Sequence, residues 1–124
     1  MNNTQIEFQN IIAANSGATL YDIGDDITFL DFHSPKQAIG FDMISMIETS
    51  IDKVATNYKG LVLGSRNSNN FCVGANLKLI LNAIENKNWD EIEKFITEFQ
   101  SSLAGLKNSS FPVIATPFGL TLGG

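Results

Sequence analysis

The spacing of apolar and polar positions changes character several times along the chain, and each change predicts an element. Residues 1–17 are polar apart from a short apolar patch at Ile11-Ile12, and they close on the turn-forming Asn15-Ser16-Gly17. They read as a linker or lead-in with room for one or two helical turns. From Thr19 to Phe32 the composition turns β-branched and aromatic, interrupted by Gly24-Asp25-Asp26. This pattern predicts a β-hairpin pairing 19–23 with 27–32. Beyond Pro35, the residues Met43, Ile47, Ile51, Val54 and Tyr58 recur at steps of three and four. That periodicity places them on one face of a helix, with Gly60 as its C-terminal stop.

The run Leu61-Val62-Leu63 between glycines suits a fully buried strand. A polar loop over 65–70 leads to Phe71-Cys72-Val73-Gly74-Ala75-Asn76 and a helix over about 77–85. Asn88, followed three residues later by Glu91, has the form of a capping box. The helix it opens carries Trp89, Ile92, Ile96, Phe99, Leu103 and Leu106 at helical spacing, a stripe expected to be core. Pro112 to Thr116 reads as a further short buried strand, and Gly119 to Gly124 as a glycine-containing turn. Strands alternating with helices make this an α/β chain of one domain.

Composition narrows the function. The 124 residues are 44% hydrophobic, enough for one core. Thirteen acidic against eight basic residues give a net charge of -5, with no Lys/Arg stripe to neutralise phosphates, so nucleic acid is not an expected partner. Apolar runs are far shorter than the roughly 20 residues of a membrane span. The opening Met1-Asn2-Asn3-Thr4-Gln5 lacks the basic start of a signal peptide, and a cytoplasmic location is the expectation. The single cysteine, Cys72, excludes an internal disulfide and a cysteine-rich zinc site.

Candidate chemistry concentrates at Cys72-Val73-Gly74-Ala75-Asn76 and Leu122-Gly123-Gly124. In both, small residues let a ligand reach main-chain N–H groups, and the first precedes a helix whose N-terminus favours negative charge. Two such donors on one oxygen would form an oxyanion hole. Each motif alone is common in α/β domains as plain structure.

Their order and surroundings resemble the crotonase (enoyl-CoA hydratase) superfamily. The resembling residues are Asn70-Phe71-Cys72-Val73-Gly74-Ala75-Asn76-Leu77, then Phe111-Pro112-Val113-Ile114-Ala115 through Leu122-Gly123-Gly124, over about 18–124. The resemblance implies the N-terminal part of a crotonase-like ββα spiral. It also implies an acyl-CoA thioester as substrate, with the backbone N–H groups of Ala75 and Gly124 as catalytic oxyanion donors. Cys72, Gly74, Asn76 and Leu77 would line the acyl-CoA site. Lys36, in the His33-to-Ile39 segment that resembles the loop beside CoA, would meet a phosphate, although a solvated surface lysine explains it equally well.

Three positions depart from the family pattern: Asn76 for the usual Asp, Thr116-Pro117-Phe118 for an Ala-Val-Asn-like run, and Val73 for a smaller residue. The family's two catalytic glutamates would follow Gly124, so the chain is expected to be a fragment, inactive alone. Residues 15–24 resemble the entrance to the crotonase-like domain of bacterial two-domain 3-hydroxyacyl-CoA dehydrogenases. No Gly-x-Gly-x-x-Gly fingerprint is present, so NAD would belong to another domain and no cofactor is expected here beyond the CoA of the substrate. The parent reaction implied is hydration of 2-enoyl-CoA in fatty-acid β-oxidation. An isomerase or thioester hydrolase of the same superfamily, and a non-catalytic acyl-CoA binding or assembly module, stay open.

Other polar groups are better explained structurally. His33 has no evident catalytic partner, Cys72 no feature that lowers its pKa, and Asp90, Glu91 and Glu93 fall on the cap and exposed side of a helix. A partial spiral leaves strand edges and apolar helix faces open, which predicts self-association. Light scattering at high concentration should show species larger than the monomer, and a strictly monomeric solution would contradict the expectation.

Overall fold

The computed structural model describes residues 8–123. Five strands and three helices follow one another: β1 (Asn10–Ala14), β2 (Ala18–Asp22), β3 (Ile27–Phe32), α1 (Phe41–Asn57), β4 (Gly60–Gly64), α2 (Leu77–Glu85), α3 (Trp89–Lys107) and β5 (Val113–Ala115). A single 3₁₀ turn, Pro35–Gln37, joins β3 to α1. The strands form one mixed sheet in the order β1-β2-β3-β4-β5. Its first two pairings are antiparallel and its last two parallel.

The hairpin closes as the turn residues predict. Gly24, Asp25 and Asp26 all have positive φ, and Asp22 Oδ1 accepts the Gly24 N–H at 2.9 Å. Register then decides the core. Leu20 pairs with Leu30, and Leu30 with Leu63, so alternate residues of three strands share one face. Leu20 and Leu30 are fully buried there. Over that face lies α1, which buries Met43, Ile44, Met46, Ile47 and Val54. Each fully buried aliphatic side chain of this kind contributes roughly 1.5–3 kcal/mol. The buried Thr28 hydroxyl is satisfied by donating to Gly60 O at 2.8 Å.

The structure changes four details of the sequence reading. Residues 10–14, expected as part of a linker or lead-in with one or two helical turns, are a strand on β2, with a bulge between Ile11 and Ala13. The β-branched Ile11-Ile12 pair, weak as a helix signal, suits an edge strand. Gly60 does not stop α1; that helix ends at Asn57, Tyr58 donates back to Val54 O, and Gly60 opens β4. The buried stripe of α3 is Phe95, Ser102 and Leu106, while Trp89 is 59% exposed and Ile96 also lies outward. Phe95 takes the central place because the rings of Phe41 (5.4 Å, edge-on) and Phe99 (6.0 Å, stacked) meet it there. Finally, β5 is an edge strand with Ile114 exposed, not a buried one.

Two substitutions separate the expected stripe from the observed one. Phe95→Ala should lower unfolding stability by about 3–5 kcal/mol, and Trp89→Ala should change it by no more than about 0.5 kcal/mol, both measured by urea denaturation.

Candidate oxyanion site where two glycine turns meet

Parallel pairing sends β4 and β5 off the same edge of the sheet, and the segments that follow them come together. The chain leaving β4 runs through the 65–70 loop to Phe71–Asn76, where α2 begins. Asn76 is the cap of that helix: its Oδ1 accepts the Leu79 N–H at 3.3 Å. Its side chain is therefore committed to the helix start, worth about 1 kcal/mol.

Segment 71–76 is clamped on both sides. Towards the end of the chain, Phe71 and Cys72 donate to Leu120 O at 3.1 Å each, and Leu122 donates to Cys72 O at 3.0 Å. Asn70 Oδ1 takes the Leu120 N–H at 2.9 Å. On the other side, Val73 donates to Gln37 O at 3.1 Å, Ile39 to Gly74 O at 2.8 Å, and Asn76 to Ile39 O at 2.8 Å. Among the described residues, the Ala75 N–H lying between these bonds has no acceptor.

The two glycine motifs meet at Gly74 and Gly123. Gly74 has φ +90° and Gly123 φ +74°, and a Cβ on Gly123 would lie 2.9 Å from Gly74 Cα. Only glycine satisfies both the left-handed backbone and this approach. Cys72 ties the junction together as a buried thiol, its Sγ accepting the Gly74 N–H at 3.3 Å. Beside the junction lies an apolar cavity of about 150 Å³, lined by Ile39, Met43, Phe71, Cys72, Leu122 and Gly123 among others, and by no carboxylate.

No protein-family model matches the chain. Over 118 residues it is 48% identical to a protein of Bacillus subtilis described as a probable 3-hydroxyacyl-CoA dehydrogenase, covering 95% of this chain and 15% of that protein. A protein of Rickettsia prowazekii described as a fatty acid oxidation complex trifunctional enzyme is 26% identical, with 96% and 16% covered. The chain thus spans about 15–16% of the length of these curated relatives. The solved enoyl-CoA hydratase/carnithine racemase of Magnetospirillum magneticum superposes with a TM-score of 0.75 at 16% identity, over 90% of this chain and 42% of that one. The chain has the crotonase fold. It is homologous to part of the 3-hydroxyacyl-CoA dehydrogenase and trifunctional enzymes of fatty-acid oxidation.

Within this portion of the crotonase fold, the structure brings Cys72, Gly74, Ala75 and Asn76 together with Gly123; Gly124 lies outside the described residues. Leu77 is 76% exposed and points away with the apolar face of α2 that continues through Leu81 and Ile84. Lys36 is exposed in a separate polar cleft of about 320 Å³, shared with His33, Ser34, Gln37, Ser65 and Ser68. His33 Nε2 is engaged with Thr19 Oγ1 at 2.8 Å. Asn88 caps α3, its Oδ1 accepting the Glu91 N–H, but the expected box is only half made: the Asn88 main-chain N–H goes to Ala83 O, and Glu91 Oε2 accepts from Asn88 Nδ2 instead. Asp90 and Glu93 are exposed on the same helix. Among the described residues, no group of three or more His, Cys, Asp or Glu is placed to hold a metal, and no helix is long and apolar enough to cross a membrane.

One residue at this site carries no motif in the sequence. Gln37 is 3% exposed, and the two hydrogens of its Nε2 are shared among three oxygens within hydrogen-bond distance, Phe32 O at 3.0 Å, Asn70 O at 3.3 Å and Ser65 Oγ. Lys36 and Gln37 both have positive φ, 57° and 58°, which costs of order 1–3 kcal/mol each in non-glycine residues. Nothing in the local sequence signalled such a turn.

Replacing Gly123 by Ala adds a Cβ in collision with Gly74 at a positive φ. The substitution should destabilise the chain by more than about 1 kcal/mol, read as a lowered urea midpoint at unchanged slope.

Proposed function

We propose that this chain supplies half of an oxyanion site for an acyl-CoA thioester, within an enzyme of fatty-acid β-oxidation that hydrates 2-enoyl-CoA. The observation that carries the reading is the Ala75 N–H, left without an acceptor among the described residues while its neighbours on either side are bonded and the Gly74–Gly123 contact brings the second glycine turn against it. An N–H held in this way is preorganised for an incoming oxygen and loses no internal bond when it donates. Its position just before α2 adds the positive end of the helix dipole, equivalent to about half a unit charge.

The chemistry that follows is polarisation. As water adds to the alkene carbon, electron density moves onto the thioester oxygen, and a donor aimed at that oxygen lowers the barrier. The resemblance assigns the second donor to Gly124. Water activation and proton delivery require general base and acid groups. The lining residues include no carboxylate, and this half-site is read as the electrophilic part of the centre. The names borne by its relatives, a 3-hydroxyacyl-CoA dehydrogenase and a fatty acid oxidation complex enzyme, support β-oxidation as the setting.

Calorimetric titration with butyryl-CoA tests the binding half of the reading. Saturable heat is expected, and no detectable heat at millimolar ligand would count against it. The hydration step is tested in a protein of the relatives' full length carrying this stretch, by loss of conjugated thioester absorbance on adding 2-butenoyl-CoA. There, Ala75→Pro, which deletes the N–H, should lower kcat by about 10²–10³-fold; an undiminished kcat would remove Ala75 from the mechanism.

A further inference from the structure

We infer that Gln37 is a positioning residue, whose buried amide locks the 36–37 turn and thereby fixes the aim of the Ala75 N–H. Two consecutive non-glycine residues at positive φ relax unless something holds them. Within the turn, Gln37 N–H donates to Ser34 O, Ala38 N–H to Pro35 O and Ser34 Oγ to Ala38 O. The Gln37 Nε2 is what ties it to the segments around it, donating to Phe32 O at the end of β3 and to Asn70 O at the end of the 65–70 loop. It also meets Ser65 Oγ, which itself donates to Phe32 O at 2.8 Å. One side chain thus joins the 3₁₀ turn to both segments it lies between.

From this fixed point the main chain reaches the site in three bonds. Gln37 O receives Val73 N–H, Ile39 N–H goes to Gly74 O, and Ile39 O receives Asn76 N–H. Residues 73, 74 and 76 are therefore held by 37–39, and residue 75 is the unbonded position enclosed by them. Ile39 and Ala75 form the corresponding parallel bridge. Loss of the amide donors would let the turn relax to negative φ, and the register of 37–39 against 73–76 would loosen with it. The Gln37 Oε1 is buried without a partner among the described residues, a cost that the bonds of Nε2 offset.

Only the ligand consequence rests on the acyl-CoA reading, so the test has two arms. In the 124-residue chain without ligand, amide hydrogen exchange is followed by NMR in the wild type and in Gln37→Leu. Exchange at Val73 and Asn76 should accelerate about tenfold or more as a local opening, with Leu20 and Leu30 of the hairpin unchanged. Equal rates at Val73 and Asn76 would overturn the inference. Should Gln37→Leu unfold the whole chain, Gln37→Asn, which keeps the amide on a shorter stem, is expected to show the same local acceleration to a smaller degree, and unchanged rates there overturn it equally. In the second arm, butyryl-CoA labelled with ¹³C at its carbonyl is bound to saturation and its infrared band recorded. A lowered carbonyl frequency in the wild type and a smaller lowering in the variant are expected. Equal lowering in both would show that Gln37 does not aim Ala75. No lowering in the wild type would sink the acyl-CoA reading alone, leaving the exchange rates to decide on Gln37.

Discussion

Parallel pairing of β4 with β5 is the constraint from which the site follows. Two parallel neighbours end on the same sheet edge, so the segments leaving them must share the space beyond their carboxyl ends, where ligands of open α/β sheets bind. Sharing it at backbone contact requires residues without side chains. Gly74 and Gly123 meet that requirement, and their left-handed φ values turn both segments into contact. The bonds from 120–122 to 71–72 then make the meeting a defined structure instead of a crossing of loops.

Stability and function are separated in this arrangement. The face shared by β2, β3, β4 and α1 is dry and regular, with Leu20, Leu30, Ile44 and Val54 almost wholly excluded from water. Positive-φ residues occur in the hairpin turn (Gly24, Asp25, Asp26), at Lys87 and at Gly119, and also at the site's margin, with Lys36 and Gln37 in one turn and Gly74 and Gly123 in the other two. The strain is carried by segments bonded to the rigid hairpin and sheet. Such a division allows an N–H to be left without an acceptor, a cost that a freely moving loop would relieve by turning to solvent.

The exposed apolar faces follow the same geometry. β5 pairs on one side only, and α2 turns Leu77, Leu81 and Ile84 outward. Both lie downstream of the β4 crossover.

Local pattern determined a good deal by itself. Composition and turn residues marked the hairpin, helical spacing marked α1, and the cap Asn88 marked the start of α3, because each signal acts within a few residues. The two glycine motifs were legible for the same reason: a short run of small residues admits close approach to the main chain whatever surrounds it. Pairing across the chain was not legible. Ile11-Ile12 became a strand only because β2 offered an edge, Trp89 stayed in solvent because Phe41 faces Phe95 instead, and Gln37 acquired its place from oxygens at residues 32 and 70. The sequence by itself determined which segments curl, extend or turn; tertiary structure decided which face is buried and which N–H is left waiting, because burial and hydrogen-bond satisfaction depend on partners tens of residues away.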